Sequence, residues 1–206
     1  TVVARPTKTN SERQYLVGDN TDWKGMVHAL QAGGLADPSD GEAAMVVGSG
    51  GTTRAAIFAL KSLGFSTIFI TARTAKNVDI LVSEFPSEYN LRAVSTTEPI
   101  DPNPSVIIST IPGDKPMDSR LREVLKAVLE KPTVQESSRL LLEMAYKPRV
   151  TEAMQMAEEA GSWTTIPGLE VLASQGWYQV RILTPLLEWY QNGLRLMRMQ
   201  FQLWTG

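Results

Sequence analysis

The chain has 206 residues, 43% of them hydrophobic and 20% charged, enough to bury a core as one domain or as one large domain with a flap. A net charge of −2 leaves no dominant basic face and argues against a nucleic-acid partner. With no cysteine and only one histidine, His28, the sequence excludes disulfides, thiolate or histidine metal clusters and a thiol nucleophile, so no metal site is expected. No apolar run reaches membrane-spanning length and "TVVARPTKTN" lacks the apolar core of a signal peptide, which makes a soluble, cytoplasmic protein the expectation.

In chain order, "TVVA" reads as the end of a strand, residues 6–13 as a polar stretch and "QYLVGDN" as a second strand. Independent domains seldom start in mid-strand, so a fragment of a longer protein is expected. Next, "GDNTDWKGM" sets Asn20 and Asp22 two residues apart at a strand-to-helix turn, where Asn, Asp and Thr serve as caps. Both side chains are expected to be buried there. The following helix leads through "QAGGLADPSDGEA" (31–43) into a repeating β-α series. "AMVVGSG" is a buried strand. "TTRAAIFALKSLG" is a helix with Ala56, Ile57, Leu60 and Leu63 on one face and Gly64 as its stop. "STIFITAR" (strand), "AKNVDILVSEF" (helix), "LRAVS" (weak strand) and "SVIISTIPG" (clear strand) follow. A helix near 118–130, strand "RLLLEMA", helix 150–160, strand "WTTI" and a helix from Gly168 complete the series. Units of this length predict an α/β, Rossmann-like, doubly wound parallel sheet with right-handed crossovers.

The turn "VVGSGGTTRAA" places Gly48, Gly50 and Gly51 between the first strand and helix of that series. Glycine lets a backbone approach a ligand, and the helix N-terminus beyond offers amide donors to a pyrophosphate. Thr53 occupies the last glycine position of the G-x-G-x-x-G pattern, and a glycine-rich turn with no ligand is the competing reading. The doubly wound context favours a dinucleotide. The next strand ends "ITARTAKN", with Arg73, Thr74 and Lys76 and no acid before Asp79. An acid there would suit the ribose hydroxyl of NAD; cations suit the 2′-phosphate of NADP, with two solvated surface charges as the alternative.

With "GDNTDWKGM", "GSGGTTRAA", "TARTAK", "STIPG", "EMAYKPRVT" and "PGLEVLASQG" in this order, the chain resembles the shikimate dehydrogenase family. It is most similar to the version that forms the last domain of the fungal pentafunctional AROM polypeptide, with most of the N-terminal part of the domain missing. The resemblance spans residues 1–179. It implies NADPH-dependent reduction of 3-dehydroshikimate to shikimate, in the route to chorismate and the aromatic amino acids. It implies that Asn20 and Asp22 bind substrate hydroxyls, Asp22 working beside a lysine as a catalytic residue, and that Tyr146 and Gln175 reach the substrate. Gly48, Ser49, Gly50, Gly51, Thr52 and Thr53 would wrap the pyrophosphate. Arg73, Thr74 and Lys76 would hold the 2′-phosphate, although the family usually has Asn where Ala72 stands. Ser109, Thr110 and Ile111 would line the cofactor, with Met144 and Gly168 near the nicotinamide. Implied partners are the small-molecule substrate and the other AROM domains, with no nucleic acid or membrane.

The implied domains are a substrate-domain remnant (1–25), a helix and linker (26–43), the NADP domain (44–167) and C-terminal helices (168–206). Two departures stand out. The family's catalytic lysine lies in a "V-T-x-P-x-K"-like segment that this sequence lacks, and Lys24, one turn into the first helix, is expected to be solvated rather than a replacement. This chain alone is therefore expected to be inactive. At the other end, removing residues 180–200 restores "QGWYQFQLWTG" in the family's register, and the block opens with Val and closes with Gln, matching intron boundary codons. A retained intron is favoured over a C-terminal helix built on Leu183, Leu186, Leu187, Tyr190, Leu194 and Met197. His28 is read as a helix-surface residue, and Trp23, Trp163 and Trp177 as packing. A quinate-repressor-like metabolite sensor and an NAD-dependent quinate/shikimate dehydrogenase are the competing functions.

Overall fold

The computed structural model describes residues 2–6, 14–98, 100–132 and 139–183. The chain divides into two compact units, Thr1–Thr21 with Gly176–Gly206, and Asp22–Gln175. In the smaller unit, β1 (Val2–Pro6) and β2 (Gln14–Gly18) form an antiparallel pair, with Val2 opposite Gly18. Asn20 belongs to this unit and is exposed, not buried as its place beside a strand suggested.

The larger unit opens with α1 (Asp22–Ala32) and then alternates strand and helix. Its members are β3 (Ala43–Val47), α2 (Gly51–Ser62), β4 (Thr67–Thr71), α3 (Ala75–Ser83) and the short β5 (Leu91–Ala93). After these come β6 (Val106–Ser109), α4 (Ser119–Leu129), β7 (Arg139–Glu143), α5 (Glu152–Ala160), β8 (Trp163–Ile166) and α6 (Gly168–Leu183). The strands form one sheet in the order β5-β4-β3-β6-β7-β8, and every pairing is parallel. The fold is therefore the Rossmann-like α/β sheet expected from the sequence.

The sheet explains why its strands read as nearly unbroken apolar runs: both faces are covered. Ala44, Val46, Ile68, Ile70, Val106, Ile108, Leu140 and Leu142 point to one face, with residues of α1, α2 and α3. Their neighbours Met45, Val47, Phe69, Ile107 and Leu141 point to the other, against α4 and α5. This is the two-residue alternation of a pleated strand. On α4, Leu121, Val124, Leu125, Val128 and Leu129 are buried at helical spacing, and the Asp118 carboxylate caps the helix by accepting from the Leu121 N–H at 3.2 Å. Thr151 caps α5 in the same way, and Gly161, at φ +74°, ends it.

The N-terminal edge of the sheet carries a buried cation. Arg139, 4% exposed, donates to the carbonyls of Val128, Leu129 and Lys131 and to the Ser162 hydroxyl at 3.0–3.3 Å. Its guanidinium stacks 3.9 Å from the centre of the Trp163 ring, whose N–H donates to the Leu129 carbonyl at 3.1 Å. Burial lowers its pKa to about 10, so it stays charged at neutral pH and caps the C-terminal end of α4.

Other details adjust the sequence reading. β4 ends at Thr71, so Ala72 and Arg73 leave the sheet rather than ending the strand. Trp23 packs edge-on against Phe58 with ring centres 4.9 Å apart, but Trp177 is 44% exposed. His28 is exposed, with Nδ1 3.0 Å from the Ser174 hydroxyl. Lys24, expected to be solvated, is half-buried, its ammonium 5.5 Å from the centre of the Trp23 ring. Of the 180–200 block, the first residues continue α6 to Leu183; residues 184–200, with Phe201 and Trp204, lie outside the described residues.

Candidate functional site

In a doubly wound sheet the chain leaves the central strand in one direction and returns on its other side, and the crevice opens where the two paths part. Here β3 is flanked by β4 and β6, so the crevice lies beyond Val47 and Ser109.

The turn after β3 is held by a relay of hydrogen bonds. Gly48 donates its N–H to the Thr71 carbonyl at 2.8 Å and adopts φ +137°, a conformation that L side chains rarely take. A Cβ on Gly48 would lie 2.1 Å from the Thr110 hydroxyl oxygen. Thr110 Oγ1 donates to the Val47 carbonyl at 3.0 Å, which leaves Thr53 Oγ1, 2.8 Å away, as the donor to Thr110. Thr53 Oγ1 in turn accepts from the Gly50 N–H at 3.0 Å. The threonine standing at the third glycine position thus ties the loop to β3 and β6. Thr53 is fully buried, with its hydroxyl committed to this relay.

Two hollows flank the turn. One, of about 360 Å³, is lined by Gly48, Ser49, Gly50, Arg73, Thr74 and Thr110, with further contributions from Asn77, Ile111, Pro112, Lys115, Met117 and Asp118. The other, of about 350 Å³, is lined by Asp22, Thr52, Thr110, Ile111, Pro112, Met144, Ala145, Tyr146, Val171 and Gln175. Thr110, Ile111 and Pro112 border both. Residues far apart in sequence are brought to one wall: Asp22 from the first turn of α1, Tyr146 from the segment after β7, Gln175 from α6. Asp22 and Gln175 are half-buried and Tyr146 is 47% exposed.

The remaining candidates sit elsewhere. Gly51 is exposed at the start of α2 and Lys76 is exposed on α3; neither lines these hollows. Ser109 is fully buried at the end of β6. Gly168 is buried where α6 begins, and a Cβ there would meet the carbonyl oxygens of Glu143 and Ala145 at 2.8 and 2.9 Å. A third hollow, of about 240 Å³ between residues 94–100 and α4, carries none of the candidates.

Sequence reasoning passed over Glu143 and Arg120. Glu143, 1% exposed at the end of β7, accepts the Ala145 N–H at 2.9 Å and the Thr151 hydroxyl at 2.7 Å, pinning both ends of the segment that carries Tyr146. Burial raises its pKa above the ordinary carboxylate value, and these hydrogen bonds oppose the rise. Arg120, on α4, donates from Nη2 to the carbonyls of Ala72 and Arg73 at 3.0 and 3.2 Å. For Glu143 a general rule could have raised the flag: residues at or just past strand C-termini near the point of reversal face the crevice.

No family model matches the chain. Among solved structures, it is similar to the dehydroquinate dehydratase and shikimate dehydrogenase from S. pombe AroM, at 31% identity and a TM-score of 0.75, covering 88% of this chain and 34% of that one. It is also similar to the shikimate 5-dehydrogenase from Thermus thermophilus in complex with NADP(H) and shikimate, at 27% identity and a TM-score of 0.62, covering 84% of this chain and 59% of that one. The quinate dehydrogenase from Corynebacterium glutamicum in complex with NAD shares the fold, at 17% identity and a TM-score of 0.63 over 84% of this chain and 59% of that one. Apart from that quinate dehydrogenase, the neighbours named here are shikimate dehydrogenases, as the motifs implied, and the chain spans about a third of the S. pombe protein's length.

Proposed function

We propose that this chain carries the nucleotide-binding part, and one wall of the substrate site, of an NADPH-dependent shikimate dehydrogenase. In this reading residues 44–167 form the NADP domain, 26–43 connect it to a substrate-domain portion in 1–25, and 168–206 supply the C-terminal helices. One observation carries the reading: Asp22, Met144, Tyr146 and Gln175 line a single hollow that shares Thr110, Ile111 and Pro112 with the hollow at the glycine turn.

The residues suit such a nucleotide. Gly48 leaves no room for a Cβ beside Thr110, and Gly50 and Gly51 have open space where theirs would be, so a pyrophosphate can approach the backbone at the start of α2. Arg73 and Thr74 line the same hollow at the end of β4, where a 2′-phosphate would meet a guanidinium and a hydroxyl. A bound nicotinamide supplies the hydride. The chain's own residues do the rest. Met144 and Ile111 offer apolar surface to one face of a flat ring. Asp22 accepts from a ring hydroxyl and holds a neighbouring ammonium in position, while Gln175 and Tyr146 hydrogen-bond the remaining hydroxyls. The proton delivered to the ketone oxygen belongs to a lysine of the kind the family carries in its "V-T-x-P-x-K"-like segment. The sequence holds no such segment, so nucleotide binding is the property proposed for this chain by itself.

Fluorescence titration of the chain with NADPH and NADH, beside an Arg73→Ala control, tests this. NADPH is expected to bind at least about tenfold more tightly than NADH, with the preference largely lost in the control. A folded chain that binds neither nucleotide sinks the reading and favours a sensor that has lost its nucleotide site. A preference for NADH favours the quinate/shikimate dehydrogenase alternative.

A further inference from the structure

The loop between β6 and α4 supplies much of one wall at the glycine turn: Ile111, Pro112, Lys115, Pro116 and Met117 line the hollow that Gly48 and Gly50 also line. Little within the loop itself holds it there. Among the described residues, the backbone of 111–117 takes part in two hydrogen bonds, and both are at Met117. The Met117 N–H donates to Glu152 Oε2 at 2.9 Å, and its carbonyl accepts from Arg122 Nη2 at 3.5 Å. Glu152 stands in the first turn of α5 and Arg122 on α4, and the two are ion-paired through Glu152 Oε1 and Arg122 Nε. The bond from Arg122 holds the Glu152 carboxyl below the ordinary carboxylate range, so the acceptor is charged at neutral pH. Packing fixes the loop at another point. A Cβ on Gly113 would lie 2.9 Å from the Ala145 Cβ and 3.0 Å from the Lys147 carbonyl oxygen, which blocks movement toward the Tyr146 segment. Between the loop and the start of α5, by contrast, lies a void of about 10 Å³, lined by Gly113, Lys115, Met117, Glu152 and Ala153. The Met117 end therefore depends on its side-chain tie to α5.

We infer that Glu152 is a positioning residue for nucleotide binding: by accepting the Met117 N–H from α5, it keeps the 111–117 loop where it walls the hollow at the glycine turn. The inference rests on the nicotinamide-nucleotide reading above and adds to it a residue that lines neither of the two hollows flanking that turn. A loop that leaves its place binds nucleotide only for the fraction of time it spends there, and affinity falls by that fraction. A carboxylate suits the task because one oxygen can accept from an amide while the other holds a guanidinium.

The test is isothermal titration of the full chain with NADPH, with thermal melts of each variant beside it. Glu152→Ala removes the acceptor and is expected to weaken binding about tenfold. Glu152→Gln keeps an oxygen acceptor for the Met117 N–H and should recover most of that loss. Amide hydrogen exchange should find the Met117 N–H less protected in Glu152→Ala than in Glu152→Gln. Arg139→Met, at the far edge of the sheet, is the control for destabilisation alone and should bind within about twofold of wild type. Unchanged affinity in Glu152→Ala overturns the inference and leaves the nucleotide reading standing. Equal weakening in Glu152→Ala and Glu152→Gln also overturns it, because the charge on α5 rather than the hold on Met117 would then matter. A loss in Glu152→Ala no greater than in Arg139→Met overturns it as well. Wild type that binds no NADPH overturns both readings. If Glu152→Ala does not fold, Arg122→Gln carries the test: freeing the carboxylate should weaken binding about threefold, and an unchanged affinity there counts against the inference.

Discussion

Strand β7 begins and ends on a buried ionisable residue, and the two ends of this five-residue strand do different work. Arg139, at the N-terminal edge, gives its donors to the last carbonyls of α4 and to Ser162 and rests on Trp163. Nothing in that arrangement faces the hollows at the glycine turn. Glu143, at the C-terminal edge, gives its acceptors to Ala145 and Thr151 and so shapes the segment bearing Tyr146, beside the crevice. Both are costly to bury, and both are retained because hydrogen bonds meet the charge or its proton. The same strand thus spends one end on stability and the other on the site, the division expected of a parallel sheet whose ligands bind beyond its C-terminal edge.

That contrast can be broken most directly at Arg139. Arg139→Met leaves the α4 carbonyls and Ser162 without their donor, and urea unfolding should show a loss of roughly 3 kcal/mol. NADPH affinity of the folded protein should stay within about twofold of wild type, since the change lies at the far edge of the sheet. A large loss of affinity at unchanged stability would erase the distinction between the edges.

A smaller stability effect with a larger binding effect is expected at the opposite edge. Gly48→Ala forces a side chain into positive φ and onto the Thr110 hydroxyl, at a cost of about 2 kcal/mol. Because the Val47–Thr110–Thr53–Gly50 relay shapes the turn, nucleotide binding should weaken by more than about tenfold in titrations of the folded variant. Retained affinity would show that the turn is not where the nucleotide sits.

Glu143 gives the mildest readout, through pH. Its native pKa lies above the unfolded value of 4.5, so the native state holds the proton more tightly than the unfolded chain does. Its contribution to stability is therefore fully present below about pH 4.5 and is lost as pH rises through the native pKa. Glu143→Gln has no such titration, so wild type should gain stability relative to the variant as pH falls from about 8 to about 5 in paired unfolding curves. A difference that does not move with pH would mean that burial does not perturb Glu143.

The apolar runs of the strands and the Gly64 stop were legible because each is a local signal: period or left-handed turn lies within a few residues. So was the glycine turn at 48–53, whose meaning depends only on the strand before it and the helix after it. Candidate residues could be named from motifs, but not which of them share a wall. Asp22, Tyr146 and Gln175 meet because α1, the β7 segment and α6 pack on one edge, and no local pattern encodes that meeting.

By itself, then, the sequence determined the class of fold, the order of its elements, the dinucleotide-like turn and the resemblance to shikimate dehydrogenases. Only the tertiary structure decided that Thr53 is a buried tie in the loop, that Lys76 lies away from the hollow while Arg120 reaches the end of β4, and that Glu143 anchors the Tyr146 segment. The physical reason is range. Backbone periodicity and capping are settled between near neighbours, whereas a guanidinium crossing from α4 to β4, or a carboxylate buried between two chain segments, depends on which strands lie side by side.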